Sequence, residues 1–135
     1  MPTLVREPSP LSTMPPRIPR PAALTEGRWA ASRLDQGDLG PSMLEVVIWY
    51  PPGSQAAMES ALGPASAPAT VTMDRRAVAA LVPELVSAEA IAADSDLQEL
   101  TGPCHPGKVF EGGGFFGARV VQVAGGVLVA VRTGG

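Results

Sequence analysis

The chain has 135 residues, including 15 Pro and 15 Gly, and a net charge of −3 at pH 7. This length predicts one domain, and the single cysteine excludes an internal disulfide and disfavours a secreted, disulfide-rich class. Residues 1–35 carry +2 and the remainder −5. The basic part has no Lys and no dense cluster, so a nucleic-acid partner is not expected. The first 25 residues lack an apolar segment of signal-peptide type, which favours a cytoplasmic protein.

A proline-rich segment begins the chain, with seven prolines in residues 1–21. Proline at this spacing prevents a helix or a central strand, so we predict an extended, polyproline-like arm. Pro16, Arg17 and Pro19 lie in the kind of segment that aromatic grooves bind, which makes them candidate partner-binding residues. A solvated leader without a partner is the plainer alternative.

Residues 22–38 have weak helical periodicity, with Leu24, Trp29 and Leu34 on one predicted stripe. Trp29 is a further candidate anchor for a partner, although packing in the core is the commoner role of such a residue. We therefore divide the chain into a Pro-rich arm with a short helix over 1–42 and a single α+β domain over 43–135.

The domain is predicted to begin with a strand over 43–50, MLEVVIWY. Its nearly continuous apolar run is typical of a central strand that is covered on both faces. A short helix should follow from Ser54 to Leu62, because Ser54 is a suitable N-cap and Gly63 a suitable stop.

A second strand is predicted over 69–73, followed by the main helix over 74–92 with Asp74 as its cap and a kink at Pro83. Ser95 and Gln98 have the spacing of a capping box for one last helical turn.

The Val-rich end of the chain predicts a hairpin with strands over 118–123 and 127–131. A two-residue Gly125-Gly126 turn would place Arg119 opposite Arg132, where like charges repel. We therefore predict a three-residue loop with Gly126 left-handed. That register places one set of apolar side chains on a common face: Val121, Val123, Val127, Val129 and Val131. A membrane-spanning helix is not expected, since Arg119 would lie in mid-span.

Residues with obvious chemistry are few. Cys104 and His105 are neighbours, but two ligands do not make a zinc site, and side chains adjacent in sequence rarely converge as a nucleophile and its base. Asp94, Asp96 and Glu99 lack the glycine and the final glutamate of a calcium loop. No metal site, no cofactor and no enzymatic activity are predicted.

The chain ends in a short tail, Arg132-Thr133-Gly134-Gly135, which directly follows the last predicted strand and finishes in two glycines. Without side chains, such a tail can enter a narrow channel in extended form and present its carboxylate to a nucleophile. These two glycines are therefore the candidate conjugation or thiocarboxylate site.

The order of strand, strand, helix, hairpin and Gly-Gly over residues 43–135, ending in VLVAVRTGG, resembles ubiquitin-like modifiers and sulfur carriers. The resemblance implies a β-grasp-like fold, a small mixed sheet with one main helix packed on it. It also implies activation at the Gly135 carboxylate by an ATP-dependent adenylating enzyme as partner. The alternative is a non-enzymatic structural subunit of a large assembly, such as a viral or phage particle, that tethers neighbouring subunits through its N-terminal arm.

Overall fold

A computed structural model describes residues 4–5, 8–34, 43–86 and 97–134. The elements in chain order are β1 (Leu4–Val5), β2 (Ser9–Pro10), β3 (Arg28–Leu34), β4 (Met43–Tyr50), α1 (Gln55–Leu62), β5 (Pro68–Asp74), α2 (Arg75–Leu81), β6 (Leu97–His105), β7 (Phe115–Val123) and β8 (Gly126–Gly134). Short 3₁₀ turns lie at Leu11–Thr13, Pro83–Leu85 and Lys108–Phe110.

The strands form a sheet with the order β1-β3-β4-β8-β7-β6-β5, and β2 also pairs with β3. Every described pairing is antiparallel. The prediction of helices and strands in one fold is confirmed, but the fold is rich in sheet and carries two short helices. The small mixed sheet with one main helix, the β-grasp-like arrangement, is wrong. Four strands of the described residues were not predicted, β1, β2, β3 and β6, and the two long ones, β3 and β6, account for most of the difference.

Strand β4 lies near the centre of the sheet and is covered on both faces, as its apolar run predicts. Alternate side chains point to opposite faces, so Val46 and Ile48 enter one core and Val47 and Trp49 the other. We call these the first face and the second face. Helix α1 contributes Met58 to the core of the first face. On the second face, α2 and the paired strands β5 and β6 form the cover.

The N-terminal segment is packed against the sheet instead of extending into solvent. Its apolar side chains are buried in the core of the first face: Leu11, Met14, Ile18 and Leu24. Burying a side chain of this size contributes about 1.5–3 kcal/mol. The segment therefore supplies the layer that closes this face.

The helix predicted over residues 22–38 is replaced by β3 at Arg28–Leu34, and residues 35–42 lie outside the described part. Strand β3 pairs with β4 from Arg28↔Trp49 to Leu34↔Met43. An Ala-rich sequence has high helix propensity, but pairing along the whole of a buried neighbouring strand outweighs a preference of a few tenths of a kcal/mol per residue.

The main helix is shorter than predicted. Helix α2 ends at Leu81, and its cap Asp74 accepts a hydrogen bond from the Ala77 N–H at 3.0 Å. Pro83 cannot donate to the helix and disfavours helical geometry at Val82, whose φ is −137°. Residues 87–96 are outside the described part. The last helical turn is not formed over residues 97 and 98, which belong to β6.

The C-terminal hairpin is present, but with a register different from both alternatives. Val123 pairs with Gly126 across a two-residue turn in which Ala124 and Gly125 have φ values of 50° and 79°. Positive φ at both positions is what a type I′ turn requires, and this turn matches the twist of the strands. Arg119 therefore pairs with Ala130, and Val121 enters the core of the second face.

Candidate functional site

The C-terminal glycines were predicted to form a free tail. The structure places Gly134 in β8, where it pairs with Met43 at the start of β4. Its backbone is exposed, and a Cβ built there would meet no atom within 4 Å. Gly135 lies outside the described residues. The ladder therefore extends to the penultimate residue of the chain.

Trp29, a candidate partner anchor, lies in the core with only 3% of its surface exposed. Its indole Nε1–H donates to Thr13 Oγ1 at 3.1 Å, which ties β3 to the N-terminal segment. The ring thus joins two parts of this chain and leaves no surface for a partner.

The other candidate partner residues lie together in residues 15–22, which we call the Pro-rich loop. Pro16 and Arg17 are exposed and Pro19 is half-buried. The loop borders an open groove of about 450 Å³, with the Ile18 and Leu24 side chains among its lining.

Arg20 holds the Pro-rich loop in shape from within. Its guanidinium donates to the carbonyl oxygens of Met14, Pro15 and Ile18 at 3.0–3.1 Å. Charge-assisted hydrogen bonds of this kind are about twice as strong as neutral ones. No sequence pattern predicts this clamp, because it consists of one side chain and backbone atoms.

Tyr50 is fully buried in the core of the first face, and its hydroxyl has no hydrogen-bond partner among the described residues. Burial raises the pKa of the Tyr50 hydroxyl to about 12, although the nearby positive charge of Arg20 opposes this effect. The phenol is thus held in its protonated form.

On the second face, a row of paired residues crosses four strands: Ser32, Glu45, Arg132 and Phe116. Glu45 is fully buried. Its Oε1 accepts from Arg119 Nη2 at 2.7 Å and from Arg132 Nε at 2.9 Å. Its Oε2 accepts from the backbone N–H of Asp74. One buried carboxylate therefore joins β4, β5, β7 and β8.

The Glu45 cluster also protects the edge of the sheet. Strand β5 is an edge strand, and alternate residues point their backbone groups away from β6. Along that edge the Thr72 carbonyl accepts from Arg119, the Asp74 N–H donates to Glu45, and Pro68 has no N–H. Side chains thus occupy positions where another strand would pair, which is a known protection against edge-to-edge association.

Asp74 lies beside this cluster. Its Oδ2 and the hydroxyl of Ser32 are both buried and lie close to each other, but neither makes a hydrogen bond of normal geometry among the described residues. Burial raises the pKa of the Asp74 carboxyl, although the Ala77 N–H and the Ser32 hydroxyl oppose this effect by stabilising the carboxylate. The negative charge of Glu45 adds a smaller raising effect. The uncharged form of Asp74 is therefore favoured more than in water.

A cleft of about 360 Å³ opens at the outer end of the row, lined by Thr72, Phe116, Gly117, Ala118, Arg119 and Arg132. A β-bulge between Phe116 and Arg119 interrupts the pairing of β7 with β8 at this point. Bulges re-aim side chains and are frequent beside binding sites. Glycine within a strand is a sequence signal for a bulge, and Gly117, whose φ is 66°, supplies it here. The cleft itself was not predicted, because it depends on how β7 pairs with β8.

Cys104 and His105 lie in β6 and face opposite sides of it. His105 is buried, with its Nδ1 2.9 Å from the Gly63 carbonyl oxygen and its Nε2 2.9 Å from Gln122 Nε2. A proton on Nδ1 satisfies both contacts, since the amide then donates to Nε2. The ring links β6 to the loop after α1. Within the described ranges, no group of three His, Cys, Asp or Glu side chains is placed to hold a metal ion.

Comparison with known proteins finds no matching family model, no matching curated protein and no matching solved structure. Among the residues that the structure describes, no helix has the length and apolar character needed to cross a membrane.

Proposed function

We propose that this protein is a non-enzymatic subunit of a larger assembly, and that it binds a neighbouring protein through the Pro-rich loop. The observation that carries the proposal is the Arg20 clamp, which fixes a loop whose Pro16 and Arg17 remain exposed. Ile18 of the same loop is buried in the core of the first face and anchors the loop there.

A fixed loop binds more tightly than a mobile one, because less conformational entropy is lost on association. Proline lowers that entropy further. An exposed arginine beside prolines offers a fork of donors and an apolar surface, and arginine is enriched at protein interfaces. Covering the first face requires only the buried side chains of the segment, so it does not explain this exposed Pro-Arg surface.

The competing proposal is a carrier that is activated at the Gly135 carboxylate. The exposure of Gly134 favours it, since nothing packs against this residue. However, the terminal glycines of a carrier must be free of the sheet to reach an activating enzyme. Here Gly134 would first have to leave its pairing with Met43, and the neighbouring pair Leu44↔Thr133 would also have to open. The geometry therefore supports the subunit over the carrier.

The experiment compares four tagged variants in the source cells by the native size of the complex that contains the chain. Arg17→Glu reverses a charge in the Pro-rich loop, and Lys108→Glu makes the same change at another exposed site. Gly134→Ala and one alanine added after Gly135 alter the C-terminus. We expect Arg17→Glu alone to shift the chain to the mass of the tagged monomer, which is 13.9 kDa plus the tag.

Two results would contradict the subunit proposal. The first is a complex of unchanged size with Arg17→Glu. The second is a covalent adduct or thiocarboxylate at Gly135, detected by intact mass and lost with the added alanine, which would establish the carrier instead.

A further inference from the structure

We propose that the cleft at the end of the Glu45 row binds a carboxylate side chain of an acidic peptide segment, with an adjacent apolar side chain of that peptide resting on Phe116. This site lies on the second face of the sheet, whereas the Pro-rich loop covers the first. It is therefore separate from the surface assigned to the neighbouring subunit.

The two arginines beside the cleft use their donors unequally. Each of the three nitrogens of Arg119 donates one hydrogen bond: Nε to the Gly117 carbonyl, Nη1 to the Thr72 carbonyl and Nη2 to Glu45. Arg132 uses only Nε, toward Glu45. Its Nη1 and Nη2 have no acceptor among the described residues. This pair of parallel donors matches the two oxygens of a carboxylate.

The side chains beside the cleft carry a net positive charge. Two guanidinium groups share the single carboxylate of Glu45, so the three side chains carry a net charge of +1 beside the cleft. The Arg132 side chain is only 30% exposed, so a bound anion would meet it in a partly desolvated setting, where attraction is stronger than in water. Glu45 also fixes the orientation of Arg132, so little side-chain entropy remains to be lost.

An exposed aromatic ring, that of Phe116, lies next to Arg132 in the sheet. Phe116 pairs with Arg132 across the strands and is 47% exposed, the highest value among the large apolar side chains of the described residues. Contact of an apolar ring with water is unfavourable, and an apolar group that covers the ring removes part of this free-energy cost. The ligand should therefore carry an apolar group next to its carboxylate.

The openness of the site favours a peptide over a free small molecule. Small-molecule sites bury 70–90% of their ligand, but Phe116 and Gly117 at this cleft are themselves exposed. A side chain held here would keep part of its surface in water. A peptide can add contacts outside the cleft, so it tolerates a shallow pocket.

The test uses the full chain and two synthetic peptides, acetyl-Gly-Phe-Asp-Gly-amide and its Asn counterpart, followed by NMR of the backbone amides of residues 116–119 and the Arg132 Nε–H. We expect the Asp peptide to bind with a Kd of about 1 mM. The Asn peptide should bind about tenfold more weakly, because it loses the charge-assisted pair.

Two variants and one control variant locate the site. Phe116→Ala should weaken the Asp peptide about fivefold, whereas Val109→Ala, which truncates another exposed apolar side chain (42%), should leave binding unchanged. Arg132→Lys keeps the charge and removes the fork, and should weaken binding about tenfold. Because Phe116 is exposed, its variant stays informative even if changes at Arg132 disturb the fold.

Several outcomes would overturn the proposal. Equal binding of the Asp and Asn peptides would show that the carboxylate charge does not contribute to binding. An unchanged affinity in Phe116→Ala would show that the Phe116 ring does not contribute. Phenylacetate binding as tightly as the peptide would indicate a small-molecule site, and inorganic phosphate binding more tightly would indicate a different anion. Arg17→Glu should not alter peptide binding, so failure here is distinct from failure of the subunit proposal.

Discussion

Replacing Glu45 with glutamine is expected to cause a large loss of stability, and the structure indicates why. The oxygen that corresponds to Oε1 can still accept from Arg119 and Arg132, but as a neutral acceptor. The amide nitrogen then stands where Oε2 accepts from the Asp74 N–H. Two donors would face each other in a fully buried position.

The two effects can be given magnitudes. A buried backbone N–H without an acceptor costs about 1–3 kcal/mol. Weakening the two charge-assisted bonds adds roughly 1 kcal/mol, since the Arg119 and Arg132 side chains are 17% and 30% exposed and can be partly hydrated. We therefore expect Glu45→Gln to lower the free energy of unfolding by about 3 kcal/mol, in the lower part of the range for a broken buried ion pair.

Urea denaturation followed by tryptophan fluorescence measures this loss, because Trp29 and Trp49 are both buried and become exposed on unfolding. Arg132→Gln is the control, since it removes one partner and leaves Glu45 with Arg119 and the Asp74 N–H. It should cost about 1 kcal/mol. The reasoning would be refuted if Glu45→Gln lost less than about 1 kcal/mol, or no more than Arg132→Gln.

Three further predictions follow from individual residues. Ala124→Gly should stabilise the protein by about 0.5–1 kcal/mol, because Ala124 has φ 50° in the hairpin turn, and an unchanged urea midpoint would contradict this. Tyr50 is the only tyrosine, so the ultraviolet absorbance of its phenolate should titrate near pH 12 in the folded protein. Wild type should therefore lose stability relative to Tyr50→Phe as pH rises from 10 toward 12. A Tyr50 phenol that titrates at pH 10.0 would show that its hydroxyl is not buried. Burial also raises the folded-state pKa of Asp74 above 3.8, so its ionisation at neutral pH favours unfolding. The stability of Asp74→Asn relative to wild type should be greatest at neutral pH and decline as pH falls toward 3.8. A difference in the free energy of unfolding that stays constant across pH in urea titrations would contradict this prediction.

Some elements were predictable from local sequence because local and tertiary preferences agree. Strand β4 is a run of β-branched and aromatic residues, and it occupies the doubly covered position that such a run favours. Helix α1 starts after Ser54 and ends before Gly63, as predicted. Gly63, whose φ is 103°, ends α1, whereas the Ser54 side chain makes no capping hydrogen bond.

Other elements depend on contacts that are distant in sequence. Strand β3 is Ala-rich and becomes a strand because it pairs with β4, and the hairpin register depends on Ala124 accepting positive φ. A sequence signal for the Glu45 cluster did exist. A carboxylate within a strand predicted to be covered on both faces must find cationic partners, because an unpaired buried charge is very costly. The identity of those partners, Arg119 and Arg132, could come only from the fold.

We propose that the Pro-rich loop, and not the C-terminal carboxylate, makes the functional contact. The decisive measurement is the native size of the complex that contains the Arg17→Glu variant, compared with Lys108→Glu. We expect Arg17→Glu to leave the complex while Lys108→Glu and Gly134→Ala remain in it. The proposal fails if the Arg17→Glu variant stays in the complex and the Gly134→Ala variant is released.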